Sequence, residues 1–236
     1  MPIKYRLMMF FAGAALLPVG IVSLIIFTSE KNQITSEFID RQRIELKSEA
    51  SQLEGFVDRN NTLSSWVSEL PPLPGINRSS DNNGVDPRDG STTEEWIERL
   101  KSIFSSNINS NQEVDQMRYI DENGVEKVRV DNENGKAFVV DDKDLSDKSQ
   151  RDYTKSLSQL PEDANYTSTI DLNVENGIVE EPFKPTIRFA TPVYQDGDYR
   201  GFTIINIDPT FALNEIQATR NTGSLTLTEY LPLLRS

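Results

Sequence analysis

The chain of 236 residues contains no cysteine and no histidine. Without thiols it has neither a disulfide framework nor a thiolate metal site. Without imidazole it has no Ser-His-Asp triad, no Cys/His dyad, no imidazole-built zinc site and no phospho-accepting histidine within this stretch. Positive charge is scarce as well: 24 Lys and Arg stand against 37 Asp and Glu, a formal net charge of −13 at pH 7. That balance repels phosphate backbones and anionic headgroups, so nucleic acid is not an expected partner. The acids are spread along the chain, as on a solvated surface, rather than gathered for cation capture. Paired carboxylates can serve a glycosidase, but nothing in the sequence sets two of them at a defined separation. Neither an enzymatic activity nor a cofactor is expected, and no catalytic or metal-binding residue is singled out.

Apolar residues are concentrated in one place. Residues 7–28 read LMMFFAGAALLPVGIVSLIIFT, without a charge, and such a run is long enough as a helix to cross the roughly 30 Å hydrocarbon layer. Lys4 and Arg6 precede it and Glu30 and Lys31 follow it, so the positive-inside rule keeps residues 1–6 in the cytoplasm and sends the rest outward. Setting Lys4 and Arg6 aside leaves 22 basic against 37 acidic side chains on the exported part. A cleaved signal peptide has the same charge order but a shorter apolar core and a small-residue cleavage site, which TSEKNQ does not offer. The expectation is a single-pass protein of the cytoplasmic membrane, its bulk periplasmic or extracellular. Pro18 is tolerable in a membrane helix.

Residues 29–70 lack internal proline and carry two heptad-spaced series, Ile39, Leu46 and Leu53, then Phe56, Leu63 and Leu70. They predict a long helix that either packs on its own domain or pairs with a second subunit. Gly55 and Asn60-Asn61 mark a place where it could break. PPLPG at 71–75 should stop the helix, and a polar loop, NRSSDNNGVDPRDGS, should follow. Thr92 and Glu95 form a capping-box pattern ahead of Trp96, Leu100, Ile103 and Phe104, which share one helical face. The period then changes from helical to alternating. QMRYID, VEKVRVD and KAFVV, separated by DENG and NENG, predict three antiparallel strands. DNENG lacks the spacing of a calcium loop and reads as a turn. A short helix near Arg151 to Leu160, a strand through NYTSTIDLN, a hairpin of 186–195 with 199–208, and a helix in PTFALNEIQ complete the reading. The fold class is α+β, an antiparallel sheet with helices on one side.

From about Trp96 to Asp208 the sequence resembles the extracellular Cache domain, also called PDC or PAS-like, that bacterial histidine kinases, diguanylate cyclases and chemoreceptors use as a sensor. The resemblance is carried by four ordered blocks: QMRYIDENGVEKVRVD, LSDKSQRDY, IDLNVENGIVEEPFKPTIRFATPVY and GFTIINID. It implies a signal-transduction module of two-component or chemoreceptor type, divided into a cytoplasmic N-terminus (1–6), a transmembrane helix (7–28), a long signalling or dimerisation helix (29–70), a sensor domain (71–208) and a C-terminal helix and tail (209–236). Such receptors usually continue into a second lobe, a second span and an output domain. On that comparison 209–236 is expected to begin a second lobe, cut short.

The resemblance also points to a ligand pocket. Arg151 and Tyr153 fall where that family lines its pocket with a basic residue and an aromatic, Asp171 follows the facing strand, and Arg188 lies on a central strand. A small amine, amino acid or organic acid needs an opposite fixed charge and a few directional groups. The implied roles are Arg151 clamping an anionic group, Tyr153 and Tyr166 supplying hydroxyls or ring faces, and Asp171 accepting from an amine or hydroxyl. Against this stands an internal ion pair of Arg151 or Arg188 with Asp152 or Asp171, and a core role for Tyr153. Arg118, Tyr119 and Arg129 read as solvated or sheet-pairing residues. The expected function is a membrane-anchored sensor that binds a small-molecule stimulus and signals through its long helix, with homodimer formation open. The alternative is a structural adaptor that dimerises or binds a periplasmic protein without a small ligand.

Overall fold

The structure, a computed structural model, describes residues 2–219 except 176, 177, 180 and 182. The chain forms two compact units, Met1–Ser51 and Gln52–Ser236. Helix α1 (Ile3–Ser68) supplies residues 3–51 of the first. Its apolar run, including Phe10, Leu17 and Ile25, is exposed throughout, and by length and composition this segment suffices to cross a membrane.

The second unit holds the core. The last turns of α1 bury Phe56, Val67 and Leu70 there, and Leu63 packs against the same cluster. The second heptad series therefore packs within its own subunit, while Leu53 of the first series is exposed. The break that Gly55 and Asn60-Asn61 would allow does not occur. Asn60 is buried and its Nδ2 donates to the Phe56 carbonyl at 3.0 Å, so its polar side chain is satisfied inside the helix.

Helix α2 (Pro72–Asp81) corrects the reading of PPLPG and the loop after it. The prolines end α1, but Pro72 then occupies the first turn of a new helix, where its missing N–H costs nothing and its fixed φ is already helical. Burial of Leu73 and Ile76 holds that helix down. Helix α3 (Thr93–Ser110) starts at the expected capping box: the Thr92 side chain accepts from the Glu95 N–H, and the Glu95 carboxylate accepts from the Thr92 N–H. It buries Leu100, Phe104 and Ile108.

Strands β1 (Val114–Asp121), β2 (Glu126–Glu133) and β3 (Lys136–Val139) are the predicted meander. Asn134 and Gly135 both adopt positive φ between β2 and β3, the backbone that a two-residue hairpin turn requires. Helix α4 (Asp152–Leu157) follows, then β4 (Tyr166–Thr167), β5 (Asp171–Leu172), β6 (Val174–Glu175), β7 (Ile178–Val179), β8 (Pro185–Gln195) and β9 (Asp198–Ile207). The residues 210–219 are helical; 220–236, where the start of a second lobe is expected, lie outside the described residues.

The main sheet runs β3-β2-β1-β9-β8-β4, with β5 also on β8, and every pairing is antiparallel. The strand expected through NYTSTIDLN is two short pieces. Tyr166 pairs with Ala190 and Asp171 with Thr186, so five steps on one side face four on the other, and the surplus residue interrupts the ladder.

Alternation gives the sheet two unlike faces. Met117, Tyr119, Val128, Val130, Phe189, Ile205 and Ile207 join the core with α1, α2 and α3. Ile120, Ala190, Phe202 and Ile204 point to the other face and pack with Leu157 of α4. Helices thus lie on both faces, α4 being the addition to the expected one-sided arrangement.

Candidate functional site

The second face is apolar at one end and polar at the other. Because β1, β9 and β8 pair in the registers Gln116↔Asn206 and Arg188↔Asn206, a polar row crosses the sheet centre. Gln116 Nε2 donates to Asp131 at 2.7 Å, and Asn206 Nδ2 to the Gln116 Oε1 at 3.2 Å. Arg118, one step along β1, donates through Nη2 to Asn206 Oδ1 at 3.2 Å and through Nη1 to Glu126 Oε1 at 3.2 Å.

Over this row lies a cleft of about 380 Å³, walled by the start of α4 and by the 166–173 segment. All five residues singled out from the sequence line it: Arg151 and Tyr153 on one wall, Tyr166 and Asp171 on the other, and Arg188 on the floor. Arg151 directly precedes α4, in extended backbone. Tyr153, half-buried, packs edge-to-face on Phe202 with ring centroids 6.1 Å apart. Its ring therefore serves the small apolar cluster while the residue also borders the cleft. Arg188 Nη1 donates to Asp171 Oδ1 at 2.6 Å and Nη2 approaches Asn173 Oδ1 at 3.5 Å. The internal ion pair weighed for Arg188 and Asp171 is thus formed, within the cleft lining itself.

Sequence reading missed Arg118. Only 3% of it is exposed, and it lines the cleft floor. It shares the fully buried Glu126 with Lys148, whose Nζ lies 3.7 Å from the same carboxylate oxygen. Tyr119, on the opposite face, is buried too: its hydroxyl bonds Asn77 Oδ1 and the Arg200 carbonyl, both at 2.9 Å, and burial pushes its pKa up. Both belie the solvated reading because β1 is covered on both faces. The available signal was the position of β1 between long partners rather than its own alternation. Arg129 is half-buried against Asp131, as a sheet-pairing side chain.

The cleft's outer wall is tied to α1. Thr167 Oγ1 donates to Asn61 Oδ1 at 3.1 Å, and Ser65 Oγ donates to Asn165 Oδ1 at 3.0 Å. Thr191 Oγ1 donates to the same Asn165 oxygen at 2.7 Å and lies 2.8 Å from Ser64 Oγ. Tyr166 faces the cleft between these two anchored neighbours. Among the described residues no cluster of carboxylates is close enough to hold a metal ion.

A domain assigned to a sensory box/GGDEF family protein of Vibrio parahaemolyticus superposes with a TM-score of 0.59 at 22% identity, over 70% of this chain and 57% of that one. The extracellular domain of vpHK1S-Z8, assigned as a histidine kinase, gives 0.59 at 22% identity, over 71% and 56%. The ligand-binding domain of the Campylobacter jejuni chemoreceptor Tlp3, solved with L-valine, gives 0.57 at 16% identity, over 79% and 66%. The chain spans less than two thirds of the length of each, and what it shares with them is the fold. No curated protein matches it. The sequence matches the bacterial histidine kinase sensor domain over residues 91–224, more than half of its length, and the chain belongs to that family.

Proposed function

We propose that the chain is a membrane-anchored, outward-facing sensor whose cleft between α4 and the 166–173 segment binds a small-molecule stimulus. The carrying observation is the convergence of Arg151, Tyr153, Tyr166, Asp171 and Arg188 on one cleft. Guanidinium groups clamp a carboxylate in a forked geometry, aromatic rings enclose the aliphatic part, and the outer oxygen of Asp171 accepts from an amine or hydroxyl. Amino acids and small organic acids have that chemistry, and Tlp3, which shares the fold, is solved with L-valine and with isoleucine. Residues 7–28 span the cytoplasmic membrane, 71–208 form the sensing domain, and the larger part of the chain is periplasmic or extracellular.

The signal leaves through α1. Ligand drawing Tyr166 inward moves Asn165 and Thr167, and these pull on Ser65 and Asn61. The β4 and β5 pieces are two residues each, so few ladder bonds resist that movement. A ligand biases the two states only by its difference in affinity for them. In a homodimer the exposed series Ile39, Leu46 and Leu53 seats α1 against its copy, and a shift between them reaches a cytoplasmic output domain.

The test is a thermal-shift screen of the full chain in detergent micelles against amino acids, organic acids and amines. A hit raises the unfolding temperature of the wild type and leaves Arg151→Ala unmoved. An equal shift in Arg151→Ala removes that residue from the site, and a panel without hits removes the small-molecule reading.

A further inference from the structure

Where α1 gives way to α2, a separate cavity of about 260 Å³ opens against β8. Three carboxylates line it, Glu69 just past the end of α1 and Glu162 and Asp163 in the segment ahead of β4, and no Lys or Arg stands among its described lining residues. Two other clefts of the sheet domain each carry arginine in their walls. The three carboxylates belong to exposed residues, and none has a hydrogen-bond or ion-pair partner among the described residues. Helix α1 closes at Ser68 without a basic residue in its last turn, so the negative pole of its dipole adds to their charge. A concave site lined by one sign of charge focuses the field and concentrates ions of the opposite sign.

The same lining holds amide oxygens without donors. Asn77, on α2, is 6% exposed. Its neighbour Tyr119 has one hydroxyl proton to give and lies 2.9 Å from both the Arg200 carbonyl and the Asn77 amide. The carbonyl can only accept, so both contacts are satisfied when the hydroxyl donates to Arg200 and the Asn77 amino group donates to the hydroxyl; the oxygen and nitrogen of an amide are told apart by such bonds. That orientation turns the Asn77 oxygen to the amide position that is buried and has no partner. Gln195 Oε1, in the same lining, is a second buried acceptor without a donor. Such groups are rare in folded proteins, and here two of them share one cavity with three unpaired carboxylates.

We propose that this cavity binds a small aliphatic diamine, one ammonium at Glu69 and the other at Glu162 and Asp163. The carboxylates are open to solvent and meet the ligand first; an ammonium has three N–H donors, and the amide oxygens accept from those left over. A divalent metal ion fits less well, because among the described residues no three carboxylates come close enough to share one. A diamine carries its two charges at separate ends of an apolar stem, for which the half-buried Tyr194 ring supplies a wall. Bound in this way it bridges the end of α1 and the segment leading into β4, elements that Ser65 and Asn165 already join. The cavity shares no lining residue with the cleft beside α4, and the sensor reading stands or falls without it.

Calorimetric titration of the full chain in detergent micelles with putrescine, n-butylamine and magnesium chloride tests it. Putrescine is expected to bind about tenfold tighter than n-butylamine, and magnesium at the same concentration should not displace it. The double variant Glu69→Gln/Glu162→Gln alters exposed side chains only and should lose about tenfold of the putrescine affinity. The pair Glu54→Gln/Asp58→Asn removes the same charge from exposed positions on α1 and should leave that affinity unchanged. An equal loss in both double variants, or displacement by magnesium, reduces the effect to diffuse counter-ion attraction and overturns the proposal. Putrescine affinity unchanged in Glu69→Gln/Glu162→Gln, or no binding to the wild type, overturns it as well.

Discussion

Asp86 is fully buried in the turn after α2, where Arg78 grips it with Nε at 3.0 Å and Nη2 at 2.5 Å. The Arg78 hydrogen bonds, helped by the Arg88 N–H, outweigh desolvation and hold its pKa down to about 2. An unfolded aspartate titrates at about 3.9, so the folded value is the lower one. The contribution to stability is therefore complete above about pH 4 and is lost as pH falls towards 2. Urea midpoints should fall over that interval in the wild type, whereas Asp86→Asn should be weaker at neutral pH and flatter through the acid range. Parallel acid profiles for the two proteins would contradict this assignment. Glu126 poses a different problem, because it is the shared anion of Arg118 and Lys148. Removing one partner of a buried ionic group costs about 3–5 kcal/mol, and Glu126→Gln should lose stability of that order in denaturant titrations. Gly201 has φ +115°, and a Cβ there would sit 2.0 Å from the Ile120 carbonyl oxygen. Backbone strain alone amounts to roughly 1–3 kcal/mol, so Gly201→Ala should destabilise by at least about 2 kcal/mol.

At the scale of elements, helices with a strong start signal and strands with clean alternation were legible. Thr92 and Glu95 announced α3, and its buried Leu100 and Phe104 follow the expected spacing. Truncating Phe104 to alanine in that helix should cost about 3–5 kcal/mol, and Thr92→Ala about 1 kcal/mol, both readable as shifts in urea midpoint. The hairpins were legible because Asn134-Gly135 and Asp196-Gly197 take the positive φ their turns demand. What failed to show did so for physical reasons. Proline ends one helix and begins another with equal ease, so α2 hid behind PPLPG. Asn60 pairs with its own helix backbone, and that satisfaction is invisible in a list of residues. The interruption between β4 and β5 depends on which residues of β8 they meet, a register that belongs to the partner strand. The lining of the candidate cleft was partly readable: Arg151, Tyr153, Tyr166, Asp171 and Arg188 line it together. Arg118 was not, because a lone arginine in an alternating strand looks solvated until the strand is known to be covered on both faces.

The molecule as a whole joins an apolar helical unit to a sheet domain whose two faces have separate duties. One face carries the core with α1, α2 and α3; the other holds α4 and the cleft. Residues 165–167 connect them, since alternation sends Tyr166 to the cleft and its neighbours to α1. On the proposed reading, a stimulus in the cleft acts on Asn61 and Ser65 of α1 through these neighbours. Hydrogen–deuterium exchange of the full chain in detergent micelles, with and without a pooled panel of amino acids, organic acids and amines, is the most direct test of that placement. The account predicts slowed exchange in peptides covering 150–153 and 165–173, together with a change around Asn61–Ser65. Exchange left unaltered in those peptides, or protection confined to another part of the domain, would contradict it.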